Sequence, residues 1–215
     1  MNGFFITFEG PEGAGKTTQI SLLKIYLENK GYEVVLTREP GGTPIAENLR
    51  QILKYHDGDE VISDEAELLL FAAGRSQHIT NVIKPAVEKG QIVLCDRFVD
   101  STTAYQGYAR GQNLEKLKMI NDYSIGDNMP ILTLLLDLTT ETSYKRTNKR
   151  VDTEGGIDRF ETAGFAFHEK VRSGFLEIAD NAPERVKVID ADNNIENIHE
   201  KIKKEINILI GEKNV

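Results

Sequence analysis

The chain has 215 residues, and its 40% hydrophobic content can bury the core of one domain or of two small ones. Acidic residues outnumber basic ones 34 to 26, and the net charge of -8 argues against a protein that binds duplex nucleic acid through a basic face. Cys95 is the only cysteine, so no internal disulfide can form. We expect a cytoplasmic protein without a signal peptide or a membrane span.

Short runs rich in Val, Ile and Leu recur along the chain, with amphipathic helical patterns between them. These runs cover residues 4–8, 34–37, 92–95, 131–136 and 186–189. Continuous apolar runs of this length predict strands that are buried on both faces of a parallel sheet. The sequence therefore predicts an α/β fold, a five-stranded parallel sheet flanked by helices, with a single domain over residues 1–215.

A glycine-rich stretch, GPEGAGKT, follows the first predicted strand and precedes a helical pattern. It matches the phosphate-loop pattern G-x-x-x-x-G-K-S/T in the correct structural context. In such a loop the backbone N–H groups and the positive end of the next helix converge on phosphate oxygens. Lys16 is predicted to reach the β- and γ-phosphates, and the Thr17 hydroxyl is predicted to hold Mg²⁺.

Charged residues stand at the ends of the second and third predicted strands. The stretch TREPGGT leaves Arg38 and Glu39 at the end of the second strand, where Pro40 and two glycines stop it. The third strand ends at Asp96, which is followed directly by Arg97. A cation beside a carboxylate on the Mg²⁺ side suits the transfer of a phosphoryl group to a second phosphate.

The sequence also predicts a pocket for a second ligand. Phe71 and Arg75 are four residues apart on a predicted helix, so they share a face, and a ring beside a guanidinium suits a planar base. Such a pair alone is more often a core aromatic beside a surface cation. The segment from Asp100 to Gly111, DSTTAYQGYARG, adds hydroxyls, an amide and two tyrosines directly after Arg97.

Other classes of phosphate-loop protein fit less well. A switch GTPase requires D-x-x-G and N-K-x-D, but here DTEG and NKRVD overlap in the wrong order, and the second has one residue too many. A motor or recombination ATPase would have a basic surface for DNA. The residues leave open a kinase for some nucleoside monophosphate or a non-catalytic nucleotide-binding module.

In their order and spacing, FEGPEGAGKTT, TREPGGT, FAAGR, CDRF and STTAYQGYARG resemble the bacterial thymidylate kinases over nearly the whole chain. Adenylate and UMP/CMP kinases share the loop but lack the TREPGG element. The resemblance implies the P-loop NTPase fold and transfer of the γ-phosphoryl group of ATP to dTMP, with Mg²⁺ and as a homodimer.

The resemblance also implies a role for each residue that matches the family pattern. The residues expected to bind ATP are Gly10, Pro11, Glu12, Gly13, Ala14, Gly15, Lys16, Thr17 and Thr18. Those expected to bind dTMP are Glu9, Arg38, Glu39, Phe71, Arg75, Arg97, Ser101, Tyr105, Gln106 and Tyr108. The implied metal ligands are Thr17, Asp96 and Glu9, and the implied catalytic residues are Lys16, Arg97, Arg150 and Glu9. Within the dTMP set, Phe71 would stack on thymine, Arg75 would bond its O4 atom, and Tyr108 would exclude a ribose 2′-hydroxyl.

The polar segment 145–160 is predicted to be a mobile lid between two helices. The interior of the phosphate loop contains no cation, although charge on the transferring group must be neutralised. The lid offers three arginines, Arg146, Arg150 and Arg159. By resemblance to family members whose lid carries the catalytic arginine, Arg150 is the first choice and Arg146 the second.

Overall fold

The computed structural model describes residues 3–56, 58–154, 160 and 163–211, and for residues 148–154 the backbone alone. Within this part of the chain, strands alternate with helices. The strands are β1 Phe4–Glu9, β2 Val34–Arg38, β3 Ile92–Asp96, β4 Leu132–Asp137 and β5 Val186–Asp190. The helices are α1 Lys16–Asn29, α2 Pro44–Tyr55, α3 Asp64–His78, α4 Lys84–Glu88, α5 Val99–Thr102, α6 Leu114–Ile125, α7 Thr140–Glu154, α8 Phe165–Asn181 and α9 Ile195–Leu209. Two π-helical segments, Ile79–Ile83 and Thr103–Ala109, extend α3 and α5.

The described strands form one parallel sheet in the order β2-β3-β1-β4-β5, which confirms the predicted α/β fold. Each predicted strand agrees with the observed one to within one residue at either end. Almost every side chain of β1, β3 and β4 is buried. Helices cover both faces of these strands, which is why they appear in the sequence as continuous apolar runs rather than alternating ones.

The two faces of the sheet have separate cores. On one face, Phe8 and Leu94 pack with residues of α1 and α9, such as Leu23 and Ile202. On the other face, Phe5 and Val93 pack with Ile79, Ile83 and Phe98, among other residues. Consecutive side chains of a strand point to opposite faces, so β1 and β3 contribute to both cores and are fixed from both sides.

The strand order brings three chain segments to one edge of the sheet. In the β-ladder, Asp96 at the end of β3 is paired with Phe8 on one side and with Arg38 on the other. The phosphate loop after β1, the Asp96–Arg97 pair after β3 and the stretch after β2 therefore leave the sheet side by side. Open parallel sheets bind their ligands at this edge.

The segment predicted to be a mobile loop is helical in its first part, because α7 continues to Glu154. The sequence from Thr140 to Glu154 contains neither proline nor glycine and carries Lys, Arg and Glu, which favour helices. The polar composition that suggested a loop thus belongs mainly to a helix. The glycine pair, Gly155 and Gly156, lies outside the described residues. No helix in the described part of the chain is long and apolar enough to span a membrane.

Candidate active site

A cavity lies at the carboxyl edge of the sheet, between the phosphate loop and the segments that follow β2 and β3. Its walls bring together most of the residues that were predicted to bind ligands. They include Glu12, Gly13, Gly15, Lys16, Thr17, Arg38, Glu39, Phe71, Arg75, Asp96, Arg97, Ser101, Tyr105 and Gln106. The other residues predicted to bind ATP or dTMP do not line this cavity; they are Glu9, Gly10, Pro11, Ala14, Thr18 and Tyr108.

The phosphate loop has the backbone conformation that its glycines allow. Gly10, Gly13 and Gly15 have φ angles of 128°, 72° and 88°, a region that residues with a Cβ atom rarely adopt. Gly15 directly precedes α1, so the unpaired N–H groups of the first helical turn belong to the loop. The buried Lys16 ammonium donates to the carbonyls of Gly10 at 3.1 Å and Pro11 at 2.9 Å. It therefore lies across the loop, where phosphate oxygens would bind.

A hydroxyl and a carboxylate meet at one side of the loop. Thr17 Oγ1 donates to Asp96 Oδ2 at 3.3 Å. Two oxygen ligands at this separation, one of them charged, match the donor set that Mg²⁺ prefers beside phosphates. The two residues therefore fit the predicted Mg²⁺ site.

Arg97 connects the phosphate loop with the opposite wall of the cavity. Its NH2 group donates to Glu12 Oε1 at 2.7 Å, and its NH1 group donates to Ser101 Oγ at 3.1 Å. The guanidinium carbon lies 5.3 Å from the centre of the Tyr105 ring. Its backbone has a φ angle of 69°, which for a residue other than glycine costs on the order of 1–3 kcal/mol. The rest of the site must hold Arg97 in this strained turn.

Glu9 supplies part of that restraint. Its fully buried carboxylate accepts hydrogen bonds from the N–H groups of Phe98 at 2.7 Å and Ser101 at 3.1 Å, and from Ser101 Oγ at 2.5 Å. Glu9, which was expected to act in catalysis and to bind dTMP and the metal, is thus engaged with the backbone after β3 and does not line the cavity. Glu9 is the last residue of β1, and its side chain lies beneath the phosphate loop, where it holds the turn that carries Arg97.

Carboxylates hold two cations near the end of β2, Arg38 of β2 itself and Arg75 of α3. Arg38 NH2 donates to both oxygens of Glu47, at 2.9 and 3.0 Å. Glu39 is buried, and its two oxygens lie 2.8 Å from Arg75 Nε and 3.1 Å from His78 Nδ1. Glu39 lines the cavity, and its carboxylate orients Arg75.

Arg75 is almost completely buried and is held from three directions. Besides Glu39, its NH1 group donates to Asn121 Oδ1 at 3.2 Å and its NH2 group donates to Thr102 Oγ1 at 2.8 Å. Arg75 and Phe71 both line the cavity, which confirms that they share one face of α3. A guanidinium has five N–H donors, so this arrangement still leaves donors for a ligand.

Sequence reasoning missed Glu67, which orients Gln106. The fully buried Glu67 carboxylate accepts from Gln106 Nε2 at 2.8 Å. The same carboxylate accepts two hydrogen bonds from Arg110, at 3.0 and 2.9 Å. Glu67 lies 39 positions from Gln106 and 43 from Arg110, so no local motif indicates that they meet.

Tyr108 points away from the cavity, contrary to its implied role. Its side chain packs on α8, where a Cβ atom built on Gly174 would lie 2.8 Å from Tyr108 Cβ. Burial and a hydrogen bond with Glu177 raise the pKa of Tyr108. Three residues earlier in the same π-helical segment, Tyr105 does line the cavity.

Of the three lid arginines, only Arg146 has a described side chain. Its NH1 group donates to the carbonyls of Gly13 at 3.3 Å and Ala191 at 3.2 Å, and its NH2 group donates to Asp192 at 3.3 Å. Arg146 thus contacts the outside of the phosphate loop and does not line the cavity. Arg159 and the side chain of Arg150 lie outside the described residues.

Comparison with known proteins identifies the family. The thymidylate kinase family model matches residues 8–202. Similar sequences include the thymidylate kinases of Syntrophotalea carbinolica, 48% identical over 93% of each chain, and Pseudomonas putida, 46% identical over 94% of each. The crystal structure of thymidylate kinase from Ehrlichia chaffeensis superimposes with a TM-score of 0.75, at 36% identity over 96% of this chain and 99% of that one. The chain therefore belongs to the thymidylate kinase family and has its P-loop NTPase fold.

The surroundings of Glu9 predict a pH-dependent stability. Burial and the nearby Asp100 raise the pKa of Glu9 from 4.5 to about 7, so the folded state holds a proton that the unfolded state releases between these values. The stabilisation from this proton is fully present below pH 4.5 and is lost as the pH rises through 7. Glu9→Gln keeps the shape of the side chain but removes its ionisation. The free energy of unfolding of this variant, relative to that of the parent, should therefore rise by on the order of 3 kcal/mol between pH 4.5 and pH 8. Urea unfolding at a series of pH values measures this difference, and a difference that does not change with pH would contradict the prediction.

Proposed function

We propose that the cavity binds ATP on the phosphate loop and dTMP on the opposite wall, so that the γ-phosphoryl group passes directly between them. The reaction, in which ATP and dTMP give ADP and dTDP, is that of the thymidylate kinase family to which the chain belongs. The observation that carries the proposal is the position of Arg97, which contacts the phosphate loop through Glu12 and the opposite wall through Ser101. We place the reaction in the cytoplasm, in keeping with a free, buried Cys95.

On the donor side, the backbone N–H groups of the loop bind the phosphates of ATP. The Lys16 ammonium exchanges its hydrogen bonds to the carbonyls of Gly10 and Pro11 for contacts with the β- and γ-phosphate oxygens of ATP, whose charge it neutralises. Thr17 and Asp96 would hold Mg²⁺, which supplies further charge neutralisation when it is bound. Both groups act by electrostatic stabilisation, so no covalent enzyme intermediate is required.

On the acceptor side, Arg38 and Arg97 bind the phosphate of dTMP. Each is held by a carboxylate at one terminal nitrogen, NH2, Arg38 by Glu47 and Arg97 by Glu12. A guanidinium that is fixed in this way presents its other donors in a defined direction, which suits phosphate recognition. Ser101, which was expected to bind dTMP, accepts from Arg97 and helps to orient it.

The base is selected by one acceptor, the side-chain carbonyl of Gln106, and one donor, the guanidinium of Arg75, which both line the cavity. A carboxylate can only accept, so Glu67 must receive the NH₂ group of Gln106, and the carbonyl oxygen of Gln106 remains for the ligand. Arg75 presents only donors. Thymine offers an N3–H donor beside its O4 acceptor, and Phe71 stacks on the ring. Cytosine offers an acceptor and an amino donor at the same positions, so it is mismatched at both.

The sugar contact is assigned to Tyr105 instead of Tyr108. Tyr105 lines the cavity beneath Arg97, whereas Tyr108 packs on α8. The bulk of the Tyr105 ring, next to the phosphate-binding arginine, lies where it would oppose a ribose 2′-hydroxyl. Rejection of an added hydroxyl by shape alone is modest, on the order of 10²-fold.

The base-selection model gives the experiment that tests the function. The parent protein should phosphorylate dTMP with ATP and should use dCMP about 10⁴-fold less efficiently in kcat/KM, because the buried polar groups would be left unpaired. Glu67→Gln lets the Gln106 amide turn over, so the ratio of the two kcat/KM values should fall at least ~10-fold. Glu65→Gln, the same change at an exposed position of α3, should leave the ratio unchanged. A parent that prefers another monophosphate would refute the function, and an unchanged ratio in Glu67→Gln would refute the selection model.

Arg150 is proposed to neutralise charge on the transferring group. It follows Arg146 by one helical turn on α7, and Arg146 itself is engaged with Gly13 and Asp192. Arg150→Ala should lower kcat by about 10³-fold, because arginines in this role act in the transition state. The KM for dTMP should change little. Steady-state kinetics of Arg150→Ala and Arg159→Ala test this, and full kcat in Arg150→Ala would exclude Arg150 from the role.

We assign the homodimer contact to an exposed apolar surface on α3 and α6, which pack on each other. Leu69, Met119 and Tyr123 are exposed there, at 55%, 71% and 93%. A surface of this kind is typical of protein interfaces. The variant Tyr123→Asp with Met119→Asp should be a monomer of 24.1 kDa in light scattering, while the parent has twice that mass. Ile25→Asp, which changes an exposed apolar residue of α1, should remain a dimer, and a dimeric double variant would refute the assignment.

A further inference from the structure

Helix α7 makes two hydrogen bonds to the backbone of the phosphate loop. The Ser143 hydroxyl, which is buried, donates to the carbonyl of Glu12 at 2.7 Å. One turn later, the Arg146 guanidinium donates to the carbonyl of Gly13 at 3.3 Å. Two consecutive carbonyls of the loop thus face α7, outside the cavity.

The direction of these carbonyls determines the direction of the adjoining N–H groups. In a planar trans peptide the C=O and N–H bonds point in opposite directions. When the Glu12 carbonyl points at α7, the N–H of Gly13 points away from α7, and the Gly13 carbonyl likewise directs the N–H of Ala14. Gly13 lines the cavity, so its N–H is directed toward the space where phosphates bind.

The helix and the loop are in direct contact at this point. A Cβ atom built on Gly13 would lie 3.0 Å from Arg146 Cβ and 3.4 Å from the carbonyl oxygen of Ser143. With a φ angle of 72°, Gly13 is thus required both by its backbone conformation and by the close approach of α7. Little space remains for the Glu12–Gly13 peptide to rotate while Ser143 is bonded to it.

We infer that Ser143 is a positioning residue for ATP: through the Glu12 carbonyl it orients the Gly13 N–H toward the nucleotide's phosphates, and Arg146 does the same for Ala14. The inference rests on the proposed function, because it takes the loop to be the ATP site. It assigns to α7 a role in donor binding that is separate from any action of Arg150. Arg146 also bonds to Ala191 and Asp192, so Ser143 allows the cleaner test.

The test compares Ser143→Ala with Thr147→Ala. Both variants remove one hydroxyl from the same face of α7, but the Thr147 hydroxyl donates to the carbonyl of Ser143 within the helix and not to the loop. In Ser143→Ala the KM for ATP should rise about fivefold, the loss expected for one hydrogen bond, with an unchanged KM for dTMP; the unfolding temperature should fall slightly, because the Glu12 carbonyl loses its donor. Thr147→Ala should match the parent in all three measurements.

Direct binding of ATP with Mg²⁺, measured by calorimetry, separates this inference from the proposed function. If the parent binds ATP but does not phosphorylate dTMP, the proposed function fails, while the parent-to-variant ratio of Kd values still tests Ser143. A Kd and KM for ATP equal to those of the parent in Ser143→Ala would overturn the inference. An equal rise of both KM values, together with a much lower unfolding temperature, would also overturn it, because that result would show a general structural role.

Discussion

The site depends on the hydrogen bonds between the Glu9 carboxylate and the start of α5. Glu9 ends β1 and precedes the phosphate loop, while Phe98 and Ser101 follow β3, so these bonds connect the two strand ends that carry the chemistry. Ser101 then accepts from Arg97, and Arg97 donates to Glu12 within the loop. The chain of contacts closes on itself, and this closure can hold Arg97 in a backbone conformation that an isolated turn would leave.

The same device, a carboxylate that fixes a cation, recurs around the acceptor wall. Glu47 holds Arg38, Glu39 holds Arg75, and Asp100 holds Arg185 beneath the wall. These pairs contribute little net stability, because solvent screens the exposed Arg38–Glu47 pair and desolvation offsets much of the attraction in the other two. Their value here is geometric, since each carboxylate leaves the arginine with donors in a fixed direction. An acidic chain can therefore present a cation-rich cavity.

The sequence revealed those parts of the fold and site that depend on neighbouring residues. The strands were visible as apolar runs, the phosphate loop as a spacing of glycines before Lys16, and the common face of Phe71 and Arg75 as a helical interval. The partnership of Glu67 with Gln106 joins residues 39 positions apart, which only the tertiary fold brings together. The role of Tyr108 came from the family resemblance, and nothing in the local sequence indicates that Tyr105, in the same π-helical segment, is the tyrosine that lines the cavity. The first part of segment 145–160 was predicted to be a loop and is helical, because an exposed polar helix and a polar loop have the same composition.

The Glu12 carboxylate allows two cations, Arg97 and Lys16, to lie close together in the cavity before the anionic substrates bind. Arg97 and Lys16 would repel each other if nothing negative lay near them. Burial disfavours the Glu12 carboxylate, but these two cations hold its pKa below its usual range, so it stays ionised. Arg97 and Glu12 are in contact at 2.7 Å. Arg97 is thus oriented before any phosphate arrives, and cations that are already in place need little rearrangement when charge develops during transfer.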